Sequence, residues 1–180
     1  WRDLVESSCK SQRNGVLPVL RIFQRETQTR DDPIFGTLTG QRGWFGPVRL
    51  WEGSAKTDLF PDRELTLELE VSSDADLESH GKHFKQLLVN SADVRKAMEE
   101  SVWEYYEIYR DAEPDLPYRE LNHGAEIWEL LSPSFWRFPT SSGKAQDHDS
   151  WIGLNIEWPN PHDLVAYFSG DTLTVVGCEG

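Results

Sequence analysis

Residues 91–111, SADVRKAMEESVWEYYEIYRD, carry the clearest pattern in the chain, and their reading decides the fold. Val94, Met98, Val102, Tyr105 and Tyr109 follow one another at steps of four, four, three and four. At ~100° per residue they occupy an ~80° arc, the width of a core-facing helical stripe. Asn90 or Ser91 supplies the N-cap, and Asp93 lies in the first turn near the positive end of the macrodipole. Glu113-Pro114 ends the helix, because a residue before proline is driven out of the α region. The opposite side holds Asp93, Glu100, Glu104, Glu107 and Asp111 within ~60° of arc. Trp103 falls about 180° from Val94, beside these carboxylates.

Upstream, Ser73-x-x-Asp76 forms a capping-box pattern that opens a second helix, with Leu77, Phe84 and Leu88 on its inner face and its end near Asn90. Two helices joined so tightly predict an αα-hairpin. Before them, Glu64 to Val71 alternates strictly: Leu65, Leu67, Leu69 and Val71 on one side, Glu64, Thr66, Glu68 and Glu70 on the other. That period marks a strand with one face buried and one in water. Ile34 to Trp51 reads as a hairpin with its loop at Thr39 to Gly43, and residues 24–33 as a polar linker.

Downstream, Glu126 to Leu131, Phe135 to Phe138, Trp151 to Trp158, Leu164 to Phe168 and Leu173 to Val176 have strand character. Pro139 to Ser150 is a polar loop, and Ser169-Gly170-Asp171 is the last turn. Strands, then two helices, then strands predict an α+β fold: an antiparallel sheet of six to eight strands with the αα-hairpin on one face.

The chain has 180 residues and a formal net charge of −13, which argues against a nucleic-acid or anionic-membrane binder and favours a basic partner. Residues 1–30 hold six Arg/Lys against three Asp/Glu, so a basic N-terminal arm (1–30) precedes a single α+β domain (31–180). No run of eighteen apolar residues is present, so no membrane-spanning helix is expected. Cys9 and Cys178 make neither a disulfide framework nor a metal motif, and free thiols in a reducing, cytoplasmic compartment are expected.

Chemistry-bearing motifs are sparse. His80 and His83 stand three apart on a helix, and Asp147-His148-Asp149 forms an acidic and imidazole cluster. Neither matches a zinc or calcium ligand pattern, so no metal is assigned. There is no Gly-x-Ser-x-Gly elbow and no phosphate-binding glycine loop, so no catalytic residue and no cofactor are assigned.

The C-terminal stretch Glu157-Trp158-Pro159-Asn160-Pro161-His162-Asp163-Leu164, continuing to Tyr167-Phe168 and Val175-Val176-Gly177, resembles the end of an uncharacterised bacterial domain family. Its members show Trp-x-x-Glu-His before a hydrophobic strand, a Gly/Asp turn and a closing Val-Gly; here Pro161 stands where the family has Glu. The resemblance spans roughly residues 34–179, includes Gly43-Trp44-Phe45-Gly46, and marks Trp158 and His162 as a turn site. It implies an α+β fold and a likeness to small acidic immunity proteins against toxins. The expected function is therefore a non-enzymatic cytoplasmic domain of immunity type. It would bind a basic protein through Asp93, Glu100, Trp103, Glu104, Glu107 and Asp111. Two alternatives stay open: an enzyme with a small-molecule pocket between sheet and helices, or a structural module of a larger bacterial protein.

Overall fold

The computed structural model describes residues 27–41, 49–140, 148–159 and 163–178. The readings for the basic arm up to residue 26, for Cys9, for Gly43 to Pro47 and for His162 lie outside these residues. The alternating segment is the heart of a strand, β4 (Phe60–Glu70), in which Leu65, Leu67 and Leu69 are fully buried and Glu64 and Thr66 are exposed. Before it come β1 (Thr27–Asp32), β2 (Gly36–Gln41) and β3 (Leu50–Thr57). After the helices come β5 (Leu131–Phe138), β6 (Ser150–Ile156), β7 (Leu164–Ser169) and β8 (Thr172–Cys178).

All eight strands join one sheet in the order of the chain. Every neighbouring pair is antiparallel except β4 and β5, which run parallel from Thr66 beside Phe135 to Leu69 beside Phe138. The sheet is thus mixed rather than antiparallel throughout. Alternation of side chains is blind to strand direction, and a parallel step needs a long crossover, which residues 71–130 supply.

Three segments depart from the pattern reading. Residues 27–32 form β1, so part of the supposed linker is the outermost strand among the described residues, and the boundary drawn at residue 30 falls inside it. β1 and β2 form a hairpin turned at Pro33-Ile34-Phe35, where Asp32 Oδ1 accepts from Ile34 N (2.8 Å) and Phe35 N (3.1 Å) and Gly36 takes φ 70°; the hairpin expected over Ile34 to Trp51 is the antiparallel β2–β3 pair, its second arm shifted to Leu50–Thr57. Residues Gly124–Glu129 are a 3-10 helix rather than a strand, and β5 then runs through Pro133 with an irregularity before Phe135.

The first helix, α1 (Asp74–Val89), has the full capping box. Ser73 accepts from Asp76 N, and Asp76 Oδ2 accepts from Ser72 N (2.9 Å) and Ser73 N (2.9 Å). Leu77, Phe84 and Leu87 are buried; Leu87 takes the innermost place and Leu88 is only partly covered. Phe84 meets Phe35 and Trp136, each with ring centroids 5.2 Å apart. Gly81 is where the β1–β2 turn closes on α1, since a Cβ there would run into Ile34.

The second helix, α2 (Ser91–Ala112), is continuous, with Val94, Met98, Val102 and Tyr106 buried. The stripe therefore continues through Tyr106, not Tyr105. Tyr105 and Tyr109 stack at 4.6 Å to one side and reach Cys178 of β8 with their hydroxyls. Only Asn90 separates the helices, yet they share little contact. Beyond that junction α1 packs on β4 and the Trp136–Phe138 rings of β5, and α2 packs on β8 and the 3-10 helix.

Candidate functional site

Position on α2 sets which side chains face outward. With Val94, Met98, Val102 and Tyr106 inward, helix geometry puts Glu100, Glu107, Asp111 and Asp93 at the centre of the outer face. Asp93, Glu100, Glu104 and Asp111 are exposed, and Glu107 is half-exposed. Lys96 Nζ stands 3.8 Å from Glu100, and Arg110 Nη2 stands 3.8 Å from Glu107 and 3.2 Å from Asp111. Exposed pairs of this kind each contribute about 0–1 kcal/mol. Asp93 and Glu104 have no ion-pair partner among the described residues.

The carboxylates have two apolar shoulders. Trp103 is half-buried, its ring 5.9 Å from that of Tyr106, so part of the indole is anchored and part is presented. Ile108, one helical turn beyond Glu104, is 59% exposed. Ile108 is not marked by the charge pattern of the sequence; the signal for it is its place off the inward stripe. All six residues named from the sequence thus share the outer side of one helix, Asp93 a little apart at its start.

Of the two turn residues only Trp158 is among the described residues. Trp158 is a core residue, 5% exposed and edge-on to Tyr106 at 5.5 Å, while His162 lies outside the described residues. Trp128, read as a strand residue, sits on the 3-10 helix and ties it to α2. Its Nε1 donates to Glu99 (3.0 Å), and Arg95 lies 4.1 Å from the ring centroid.

The histidines of α1 make a second polar region. His80 Nε2 pairs with Glu70 O (2.8 Å) and His83 Nε2 with Ser150 Oγ (2.9 Å), which also accepts from Trp136 Nε1 (3.2 Å). Burial holds both imidazoles below the ordinary histidine value, against the opposing pull of Asp76 and Glu70 at His80 and of Asp149 at His83. His80, His83, His148 and Asp149 border a cavity of about 240 Å³. Ser150 beside His83 has the distance of a nucleophile and its base, but Ser150 is 0% exposed and has no open path to a substrate. Among the described residues no group of three or more His, Cys, Asp or Glu is placed to hold a metal ion, and no helix is long and apolar enough to cross a membrane.

No curated protein and no solved structure matches the chain. A family match runs over residues 34–179, from the β1–β2 turn to the end of β8. The chain therefore belongs to the family described as domain of unknown function DUF6985.

Proposed function

We propose that this domain is a non-enzymatic binding module that holds a basic protein partner on the outer face of α2. The observation that carries the reading is the combination on one helix side: exposed carboxylates at Glu100, Glu104 and Asp111, flanked by the half-presented Trp103 and the exposed Ile108. Carboxylates speed the encounter with a positive partner, and an aromatic or aliphatic anchor beside them supplies the desolvated contact that holds it. The finer reading is a bacterial, cytoplasmic immunity-type protein, and its support is the family resemblance together with the net charge of −13.

The test is affinity capture of interacting proteins from host lysate, followed by binding measurements on the recovered partner. Wild type is compared with the triple reversal of Glu100, Glu104 and Glu107 to Lys, and with Trp103→Ala and Ile108→Ala. The reversal is expected to abolish binding while leaving the fold intact. Equal binding by the reversal at low salt sinks the proposal. The alternative of an enzyme draws on the His80–His83 cavity of about 240 Å³, where the hydroxyl beside His83, that of Ser150, is fully buried.

A further inference from the structure

Beside the parallel step in the sheet lies a crevice that shares no lining residue with the acidic face. The carboxyl ends of β4 and β5 lie together, and from them the chain departs on two courses. β4 passes through Ser72 into the capped start of α1, whereas β5 continues to Pro139 and Thr140. Chains that diverge above adjacent parallel strands leave a gap at the strand ends, the place where open α/β sheets bind ligands. Here that gap is a cavity of about 490 Å³, within the usual size for a small-molecule site, with Arg49, Leu50, Glu70, Val71 and Arg137 in its walls.

The charges in this crevice are unevenly matched. Arg137 Nε stands 3.2 Å from Glu70 Oε1 and 3.4 Å from Glu68 Oε2, so two carboxylates contend for one guanidinium. That buried Nε nevertheless has no well-aligned hydrogen-bond acceptor among the described residues. Arg49 is exposed and has no ion-pair partner among the described residues. One negative charge at the Glu68/Glu70 pair and one positive charge at Arg49 are thus left for an incoming molecule. Arg49 and Glu70 both border the cavity, with Leu50 opposite Glu70 on the β3–β4 ladder and Arg49 O accepting from Val71 N (2.8 Å). Leu50 and Val71 add an apolar wall.

We infer that this crevice binds a small zwitterion, a free α-amino acid with a short apolar side chain. Its carboxylate is held by the Arg49 fork, and its ammonium by Glu70 in place of the misaligned Arg137 Nε. The guanidinium fork suits a planar carboxylate, and an ammonium offsets the second carboxylate of the Glu68/Glu70 pair.

The experiment is a titration of the full chain with L-leucine at constant pH and ionic strength, following the arginine Nε–H signals by NMR. Saturable shifts of the Arg49 and Arg137 signals are expected. The single-charge analogues 4-methylpentanoate and 3-methylbutylamine should bind roughly tenfold or more weakly, since each lacks one charge-assisted contact. Arg49→Gln, an exposed position, should abolish leucine binding with an unchanged circular dichroism spectrum. Glu70→Gln should weaken leucine and leave 4-methylpentanoate unaffected. Non-saturating shifts, an equal response to either analogue, or unchanged leucine binding by Arg49→Gln overturns the inference.

Discussion

The two helices follow each other directly, yet they are held in opposite ways. α1 begins in polar chemistry: Ser73 and Asp76 cap each other, Asp76 is 6% exposed, and the buried His80 is bonded to the backbone of β4. α2 has no side-chain cap. Asn90 occupies its N-cap position, but its amide donates to Asp171 Oδ2 (2.6 Å) in the β7–β8 turn instead. What keeps α2 in place is the unbroken row Val94, Met98, Val102, Tyr106. A helix with a built start can tolerate buried polar groups; one without must be anchored by packing along its length.

The contrast is sharpest under truncation of the core. Met98→Ala, at a fully buried site on α2, should cost ~2–5 kcal/mol in a denaturant titration, and Leu67→Ala beneath the helices should fall in the same range. A loss below ~1 kcal/mol at Met98 would mean that packing does not anchor α2. Next in size is the cap. Ser73→Ala should cost ~0.5–2 kcal/mol, whereas Ser91→Ala at the start of α2 should stay within ~0.5 kcal/mol. Equal losses at the two positions would erase the distinction.

Acid should separate the helices further. His80 and His83 both belong to α1, and burial holds both below the ordinary value of 6.5. The unfolded chain then takes up protons near that value before the folded chain does. Stability is complete above it and falls as pH drops from about 6.5 toward the lowered folded-state values. Amide protection factors, corrected for the intrinsic pH dependence of exchange, should fall in α1 before α2 across this window, and His83→Gln should flatten part of the slope. Simultaneous loosening of both helices would break the assignment to α1. The smallest effect belongs to the outer face of α2. The triple reversal of Glu100, Glu104 and Glu107 removes like-charge repulsion but also the Lys96 and Arg110 pairs, so stability should move by no more than ~0.5 kcal/mol.

What could be read from the sequence follows the same division. Periodic patterns of burial were legible: Leu65, Leu67 and Leu69 placed β4, and Val94, Met98 and Val102 placed α2. So was local capping chemistry at Ser73 and Asp76. Non-local pairing was not. Thr27 to Asp32 is too polar to announce a strand and becomes one because it sits at the edge, where both faces tolerate water. The choice of Tyr106 over Tyr105 depends on Trp158, Tyr118 and the 3-10 helix closing over that side, which no local period records. The acidic residues of the outer face could be placed on one side from spacing alone. The Arg49–Arg137 crevice could not, because it exists only where β4 and β5 meet in parallel.

That parallel seam also has a bearing on how the chain finds its fold. Within β1 to β4, and within β5 to β8, every pairing joins strands consecutive in sequence, so each set can zip locally as hairpins. Thr66 to Leu69 must instead find Phe135 to Phe138 across both helices. Closing that loop carries its entropic cost before the ladder returns any hydrogen bonds, which makes the seam the slow step of assembly. Until it forms, two meanders each expose an unpaired strand edge at β4 and at β5, and the helices that link them are what bring those edges together before another chain can.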